Sequence, residues 1–477
     1  MTNVPAWVSD AVFYAILPDR FAPPTADEHE DLDRSTFDPW DSPPTNRAYK
    51  GGTLEGITRN LDRLVELGIT ALYLNPIHVS VTHHRYKPID LHHVDPMLGG
   101  DAAFARFLTA AKQRGLRVML DAVFNHVGRG HRFFQDVIEY RERSPYRDWF
   151  RIDGFDADAP RCRVWNHNAT MPTLNHDNPA VQRYLFDVAE HWAKKGIDGW
   201  RFDAPEEITA PGFWAEMRRR LRAIHPEFYL LGEIWGDATP WLDGHQWDGV
   251  TNYGFAYAVR SFVVGDNLRE TELLETDVAE RLDGPGYATR IDELLSRYPW
   301  EHQLAMLNAF NTHDISRLVS LAGEDPSAHR LATFLMLTFP GAPCIYYGDE
   351  VGMSGGRPMA NRAGLSPRAD WDHSLLDWTR ALIALRKRLP ALRYGRYRSV
   401  AASGGAYAAI RADETECLLI AVNTDDSCHL ELPRAALDGA QAGLRLWGDG
   451  AIRITKDSAE VFLPKRTGSL FRLNETR

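Results

Sequence analysis

The sequence predicts an α/β protein: a (β/α)8 TIM barrel with an inserted subdomain after strand 3 and a C-terminal antiparallel β-sandwich. Two observations lead to this prediction. Short apolar runs alternate with amphipathic helical stretches along most of the chain, and there are eight such runs, the number of strands that closes a barrel of this kind. The runs predicted as strands are Val12–Leu17, Ala71–Asn75, Val118–Phe124, Gly199–Asp203, Tyr229–Glu233, Gly249–Asn252, Leu307–Asn311 and Cys344–Tyr347.

The stretches between these runs have the periodicity of helices. In LEGITRNLDRLVELG (54–68) the apolar residues fall on one helical face, as they do in a helix that packs against a sheet. Gly68, Gly115 and Gly196 each follow such a stretch, at the position where glycine caps a helix. The other predicted helices cover 102–115, 180–196 and 213–224.

Two segments break this alternation. The gap at 125–178 is too long for a simple loop after a barrel strand, which predicts an inserted subdomain B. Toward the C-terminus, short alternating runs such as YAAIRA replace long helices, which predicts a separate β-sandwich. The predicted domains are the barrel at 1–124 and 179–394, subdomain B at 125–178, and the sandwich at 395–477.

The composition is that of an ordinary globular protein, with 44% hydrophobic residues, 25% charged residues and a net charge of −11. No basic stretch offsets this charge, which argues against a nucleic acid or a membrane as partner. The N-terminus lacks the pattern of a signal peptide, and the most apolar stretch, Leu331–Tyr347, is interrupted by Pro340 and Pro343. The four cysteines lack metal-ligand spacing, which predicts reduced thiols in a cytoplasmic protein.

Four of the apolar runs end in charged or histidine side chains. They are DAVFNHVG (121–128), GWRFDAPEE (199–207), LLGEIW (230–235) and AFNTHD (309–314). Barrel enzymes keep their catalytic groups at the C-terminal ends of the strands, so these segments predict one active site on one rim. The side chains concerned are Asp121, His126, Arg201, Asp203, Glu233, His313 and Asp314.

Asp203 and Glu233 end consecutive predicted strands, so their side chains can converge. Glycoside hydrolysis needs two carboxyl groups that flank the bond, one of them protonated. Arg201 lies two residues before Asp203, on the same side of the strand, and is expected to keep Asp203 ionised. Glu233 is expected to lie in apolar surroundings that favour its protonated form. Asp314, with His313, is a candidate for holding sugar hydroxyls.

These four segments, in this order and spacing, resemble the α-amylase family, glycoside hydrolase family 13. The resemblance extends over 51–77, 83–100 and 341–353, and covers nearly the whole chain. It implies a retaining hydrolase that cleaves α-glucosidic bonds through a covalent glycosyl-enzyme. By this resemblance Asp203 is the nucleophile, Glu233 the acid/base, and Asp314 the stabiliser of the transition state.

The resemblance also implies contacts to the cleaved glucose, with Tyr86 as the stacking residue and His84 beside it. The segment MPTLNHDNP (171–179) is similar to a segment of cyclomaltodextrinases, neopullulanases and maltogenic amylases, and Glu207 matches an acidic residue of those enzymes. The complete set of predicted substrate-binding residues is Tyr86, His84, Asp121, His126, Arg201, His313, Glu207 and Trp235.

The sequence departs from the cyclomaltodextrinases, neopullulanases and maltogenic amylases in two places, which bear on the oligomeric state and on the substrate contacts. Those enzymes carry an extra N-terminal domain that mediates dimerisation, whereas here the barrel begins close to Met1. We therefore expect a monomer, or a dimer that is not formed by an N-terminal domain. The segment 355–372 lacks the group's usual residues before Pro358-Met359, which puts the substrate contacts of that loop in doubt.

No cofactor is expected to be required. Ca²⁺ is an alternative, because many relatives bind it with an Asn that matches Asn125. The acidic loop Asp27–Asp33 lacks the spacing of a calcium loop and is interpreted as a solvated surface. The histidines at 83, 84, 92 and 93 have no acid or cysteine partners in a metal-binding pattern.

The predicted function is hydrolysis of α-1,4 bonds in maltooligosaccharides, cyclodextrins or related glucans, and α-1,6 bonds are a second candidate linkage. The alternative is a 4-α-glucanotransferase, or another transglycosylase or α-glucosidase, because acceptor choice is not readable from the sequence. A non-catalytic family member would lack catalytic carboxylates, which this chain retains. Four aromatic residues of subdomain B are expected to wall the cleft, or else to fill the core of that subdomain: Trp149, Phe150, Phe155 and Trp165.

Overall fold

The computed structural model describes residues 4–28, 34–45, 47–156, 160–273, 280–356, 359–437 and 439–474. These residues form two compact units. The first consists mainly of Phe13–Thr251, with Arg362–Leu365. The second consists of Ala6–Val12, Asn252–Asn361 and Ser366 to the C-terminus.

The first unit is built on six parallel strands and two antiparallel hairpins. The parallel strands are adjacent in the order β10-β9-β8-β5-β2-β1, and β3 with β4 and β6 with β7 form the hairpins. The strands are β1 Phe13–Ile16, β2 Ala71–Leu74, β3 His78–Ser80, β4 Pro88–Val94, β5 Arg117–Ala122, β6 Ile152–Phe155, β7 Pro160–Cys162, β8 Gly199–Phe202, β9 Tyr229–Gly232 and β10 Gly249–Val250.

Helices follow the parallel strands, as the sequence periodicity predicts. Gly68 and Gly196 have left-handed backbone conformations, with φ of 104° and 105°, and end their helices as predicted. Glycine adopts this conformation without the steric cost that a Cβ would bring. The α-helices of this unit are Pro18–Phe21, Leu54–Arg59, Leu61–Leu67, Gly100–Gln113, Arg132–Tyr140, Pro179–Lys195 and Phe213–Ile224.

The second unit contains two further parallel strands, β11 Leu307–Asn308 and β12 Ala342–Tyr346, which pair with each other. Its α-helices are Ala6–Asp10, Tyr253–Val263, Gly284–Arg297, Trp300–Gln303, Leu318–Leu321, Pro326–Thr338, His373–Arg388 and Ala391–Tyr394. Each of the eight predicted barrel strands is thus present, six in the first unit and two in the second.

The C-terminal part of the second unit is an antiparallel β-sandwich. One sheet has the order β13-β14-β15-β20-β17 and the other has the order β16-β19-β18. A buried apolar cluster that includes Leu419, Val461 and Phe471 draws on both sheets. The strands are β13 Arg396–Ser403, β14 Ala406–Ala412, β15 Cys417–Asn423, β16 Cys428–Leu432, β17 Ala442–Trp447, β18 Ala451–Ile454, β19 Ala459–Leu463 and β20 Thr467–Asn474.

These strands confirm the predicted fold class, a (β/α)8 barrel with an insertion and a C-terminal antiparallel sandwich. The boundaries at 125–178 and 395–477 stay predictions, although each segment has secondary structure of its own. Within the described ranges, none of the helices combines the length and the apolar character needed to cross a bilayer.

The sandwich core gives a direct test of how the second unit is stabilised. Leu419 is fully buried, whereas Leu444 on β17 is 55% exposed. Leu419→Ala removes buried methyl groups and leaves a cavity, so we expect the free energy of unfolding to fall by about 2–5 kcal/mol. The matched variant Leu444→Ala is expected to change it by less than about 0.5 kcal/mol. Urea unfolding followed by circular dichroism measures both, and equal effects would contradict the assignment of this core.

Candidate active site

Three neighbouring strands of the first unit bring four charged side chains to one place. Asp121 near the end of β5 is the register partner of Arg201 on β8. Asp203 and Glu233 directly follow β8 and β9, and their backbone N–H groups donate to Ala122 and Phe202 on the adjacent strands. Because these strands are parallel and adjacent, their C-terminal ends share one edge.

Arg201 is the centre of this cluster. Its Nη1 donates to Asp121 Oδ1 at 2.8 Å and lies 3.2 Å from Asp203 Oδ1, while its Nη2 contacts Glu233 Oε1. Arg201 is 2% exposed, Asp203 7% and Glu233 6%. Burial alone lowers the pKa of Arg201, but the carboxylates of Asp121 and Glu233 outweigh it and hold that pKa well above its usual value. The guanidinium is therefore permanently charged.

Glu233 was expected to lie in apolar surroundings, but its carboxyl group has polar contacts. Its Oε1 contacts a charged guanidinium, and its Oε2 accepts a long hydrogen bond of 3.5 Å from the Ala204 N–H. The residue before it is tightly packed, because a Cβ at Gly232 would come within 2.6 Å of the ring of Trp247. Glu233 is thus buried beside a charged partner.

Asp121 is held from its other side by two hydroxyl groups, one from the predicted site residue Tyr86 and one from Tyr73, which the sequence analysis did not identify. Tyr73 and Tyr86 donate to Asp121 Oδ2 at 2.6 and 2.7 Å, and Asn75 Nδ2 donates to the Tyr86 hydroxyl at 3.0 Å. Tyr73 lies on β2 and Asn75 directly follows this strand, so the two side chains point to the same face. This two-residue spacing is the sequence signal by which both residues could have been identified. Burial raises the pKa of Tyr73 well above its usual value, which keeps the hydroxyl a donor.

Tyr86 is also fixed through its backbone and its neighbours. Its carbonyl accepts from His126 Nε2 at 2.9 Å, and its N–H donates to His84 Nδ1 at 3.1 Å. The rings of His84 and Tyr86 stack with centroids 5.8 Å apart. Burial lowers the pKa of His126 to about 4, so this histidine is neutral at neutral pH. The Tyr86 ring, half-buried, is thereby held in one orientation.

Of the two alternatives for the aromatic residues of subdomain B, a cleft wall or a small core, the contacts of two residues fit the core. Phe150 is 2% exposed and packs against Phe134, and Trp149 packs against Phe133 with ring centroids 4.4 Å apart. These rings fill a small core.

The other two aromatic residues have different positions. Phe155 lies under the guanidinium of Arg141. Trp165 stacks on His126, with centroids 5.2 Å apart and an angle of 17° between the rings. Of the four, Trp165 is therefore the one that the structure connects to the predicted site.

The remaining predicted site residues are less central. Glu207 forms an ion pair of 2.7 Å with Arg163, and both side chains are partly exposed. Trp235 is half-buried, two residues after Glu233. His313 and Asp314 belong to the second unit, where His313 Nε2 lies 3.1 Å from Asp314 Oδ2. The roles of His313 and Asp314 in the reaction stay predictions.

The expectation that Asn125 could bind Ca²⁺ likewise stays a prediction. Asn125 Oδ1 is buried and has no hydrogen-bond partner among the described residues, but no group of three or more His, Cys, Asp or Glu side chains in that part of the chain is arranged to hold a metal ion. In the acidic loop, Glu28 pairs with Arg59, and residues 29–33 lie outside the described residues. In the histidine tract, His93 pairs with Asp101 at 2.8 Å.

Two carboxyl groups at the ends of adjacent parallel strands, Asp203 and Glu233, are the kind of pair that glycoside hydrolysis uses. The chain belongs to the α-amylase family: the model of the alpha amylase catalytic domain matches residues 15–370. This match confirms the family resemblance and identifies the chain as a glycoside hydrolase of that family.

Individual relatives extend the match over nearly the whole chain. A cyclomaltodextrinase from a Bacillus species is 35% identical over 89% of this chain and 74% of its own length. The structure of a debranching enzyme from Nostoc punctiforme is 43% identical, with a TM-score of 0.90, and covers 99% of this chain and 100% of its own. A cyclic α-maltosyl-(1→6)-maltose hydrolase from Arthrobacter globiformis is 32% identical, with a TM-score of 0.86 over 98% and 99% of the two chains.

The buried histidine His131 predicts how the stability of the protein depends on pH. Burial lowers the pKa of His131 to about 4, below the ordinary 6.5, so the unfolded chain binds this proton more tightly. Stability is therefore lost as pH falls from about 6.5 to about 4, by up to about 3 kcal/mol for this group. Above pH 6.5 the group has no effect.

The variant His131→Asn isolates this contribution. The His131 side chain caps the helix Arg132–Tyr140 by accepting from the Phe133 N–H, and Asn is also a good capping residue. Urea unfolding at pH 7.5, 6.5, 5.5 and 4.5 should show a smaller loss of stability in the variant than in the wild type. Identical pH slopes for the two proteins would refute the prediction.

Proposed function

We propose that this protein is a retaining α-glucan hydrolase that cleaves α-1,4 and α-1,6 glucosidic bonds of maltooligosaccharides and cyclodextrins. The observation that carries the proposal is the single buried guanidinium of Arg201, which contacts both Asp203 and Glu233. In a chain of the α-amylase family, these two carboxyl groups have the residue types and strand positions of the nucleophile and the acid/base.

The proposed reaction proceeds in two steps. Asp203 attacks the anomeric carbon while Glu233 donates a proton to the leaving glycosidic oxygen, which forms a glycosyl-enzyme ester. Glu233 then takes a proton from water, the water oxygen attacks the same carbon, and Asp203 is released. Arg201 keeps Asp203 ionised for the attack, because a nearby positive charge favours the carboxylate. A bound sugar excludes water from Glu233 and so favours its protonated form.

The choice of substrate is supported by the relatives and by the surface around the site. One relative is named a cyclomaltodextrinase, another a debranching enzyme, and a third a hydrolase of a cyclic saccharide with (1→6) linkage. The fixed Tyr86 ring supplies a flat surface for a sugar face. The names of these relatives favour hydrolysis over transfer to a second sugar. A cytoplasmic location is part of the proposal, and the four free cysteines support it.

The function is tested with purified protein on maltotriose, maltoheptaose, β-cyclodextrin, pullulan and starch, with chromatography of the products. New reducing ends without longer saccharides are expected. Asp203→Asn and Glu233→Gln should each reduce kcat by about 10³-fold or more while the protein stays folded. The matched control is Asp177→Asn, which removes a surface carboxylate paired with Arg151 and should leave activity unchanged. A tenth of wild-type turnover in either site variant would contradict the assigned roles.

The stereochemistry of the product tests the covalent intermediate separately. Two displacements at one carbon return the original configuration, so the first product formed should be the α-anomer. Proton NMR during the first minutes of hydrolysis of maltotriose distinguishes the anomers before they equilibrate. An initial β-anomer would show that water attacks directly and that Asp203 is not the nucleophile.

A further inference from the structure

The segment that joins β11 to the helix Leu318–Leu321 carries the predicted site residue Asp314. Residues near both ends of this segment are buried, among them Asn311 and Arg317, whereas the side chain of Asp314 is 27% exposed. The carboxylate is thus accessible, while the buried backbone on either side must find its hydrogen bonds inside the protein. The segment 310–317 is called the Asp314 loop below.

Arg260 connects the two ends of the Asp314 loop through the backbone. It lies on the helix Tyr253–Val263 and is 2% exposed. Its Nη1 donates to the carbonyl oxygens of Phe310 at 3.1 Å and Ser316 at 2.7 Å. One guanidinium nitrogen carries two hydrogens and can serve two carbonyl groups at once. Two separate positions of the loop are therefore held at one atom.

Asp349 makes a second connection between the ends of the Asp314 loop, this time through side chains. Asp349 follows β12 and is 3% exposed. Its Oδ1 accepts from Asn311 Nδ2 at 3.0 Å and from Arg317 Nη1 at 2.8 Å. Asn311 Oδ1 in turn accepts from the Leu318 N–H at 2.8 Å, which ties the start of the loop to the helix that follows it.

Asn361 holds the middle of the Asp314 loop. Its Nδ2 donates to the carbonyl oxygens of His313 at 2.9 Å and Ile315 at 3.1 Å, the residues on either side of Asp314. Asn361 is 1% exposed, and its own carbonyl accepts from the Tyr346 hydroxyl at 3.2 Å. The backbone before and after Asp314 is therefore fixed by one amide group.

These three side chains come from separate segments of the second unit but share one geometry. In each case a single buried atom bridges two positions of the Asp314 loop. Such bridges restrict the backbone around Asp314 before any substrate binds, so the entropy of ordering the loop is lost on folding and not during the reaction. Precise placement of a reacting group matters, because a displacement of about 1 Å can cost about 10²-fold in rate.

We propose that Arg260, Asp349 and Asn361 are positioning residues that hold Asp314 in the orientation needed for bond cleavage. The inference rests on the proposed function and on the role that the family resemblance gives to Asp314. The three side chains act through the loop and not on the substrate, because each is almost completely buried. Their replacement should therefore change the rate of the reaction more than the binding of the substrate.

The test separates turnover from binding, with maltotriose as the substrate. Asn361→Ala removes the two hydrogen bonds beside Asp314 and should lower kcat by about 10- to 100-fold, while KM changes by less than about threefold. The matched control is Asn423→Ala, which removes a buried asparagine whose Nδ2 donates to the carbonyl groups of Asp426 and Pro464 in the β-sandwich. This control should also lose stability but keep the wild-type kcat.

A second variant guards against misfolding of Asn361→Ala, and a double variant guards against a purely structural role. Asp349→Asn keeps the shape of the side chain but weakens its bonds to Asn311 and Arg317, and should lower kcat in the same way. In an Asp314→Asn background, measured with an activated aryl maltoside, either change should cost less than about twofold more, because the group that it positions is gone. Equal losses in the two backgrounds, or an unchanged kcat in the variants that fold, would overturn the inference.

Hydrogen exchange followed by mass spectrometry separates this inference from the proposed function. Peptides that cover 310–317 should exchange faster in Asn361→Ala and Asp349→Asn than in the wild type, because the bonds that close the loop are lost. Faster exchange in a protein without hydrolytic activity would uphold the closure of the loop and reject the proposed function. A wild type that hydrolyses maltotriose, together with unchanged exchange in both variants, would uphold the proposed function and overturn the inference.

Discussion

The candidate active site depends on one electrostatic constraint: a single buried guanidinium contacts three carboxyl groups. Arg201 contacts Asp121, Asp203 and Glu233, and all four side chains are almost inaccessible to water. One positive charge does not balance three negative charges in a medium of low dielectric constant. Part of the imbalance is relieved by the hydroxyl groups of Tyr73 and Tyr86, which donate to Asp121.

Hydrogen bonds and ion pairs are distributed unequally over the cluster. Asp121 accepts from two hydroxyl groups and the guanidinium, whereas Glu233 contacts the guanidinium through Oε1 and accepts a long hydrogen bond from Ala204 through Oε2. In the proposed reaction Glu233 must carry a proton when it acts as the acid, and a bound sugar that excludes water favours that form.

The backbone around the cluster is adapted to it. Ala204, directly after Asp203, has a φ of 41°, a conformation that is uncommon for residues other than glycine and is often found at functional sites. In this conformation its N–H lies within 3.5 Å of Glu233 Oε2. The turn that ends β8 therefore contributes to the position of the proposed acid as well as to that of the nucleophile.

The sequence predicted the features that have a short-range signature. Apolar runs that end in charged residues located the eight strands and the residues Asp121, Arg201, Asp203 and Glu233. The sequence did not reveal which side chains form hydrogen bonds across strands, so the roles of Tyr73 and Asn75 were missed. Nor does aromatic composition distinguish a cleft wall from a small core, because both need flat apolar rings. The sequence therefore left both alternatives open, and the contacts of Trp149 and Phe150 are those of a small core.

Replacing Arg201 by lysine tests most directly whether one planar guanidinium organises the site. Lysine keeps the charge but presents one ammonium group, which cannot bridge three carboxyl groups in fixed directions. We predict that Arg201→Lys folds, with thermal unfolding still cooperative, and that its kcat on maltotriose falls by about 10²-fold or more because the reacting groups are displaced. A variant that stays folded and keeps kcat within threefold of the wild type would contradict the account.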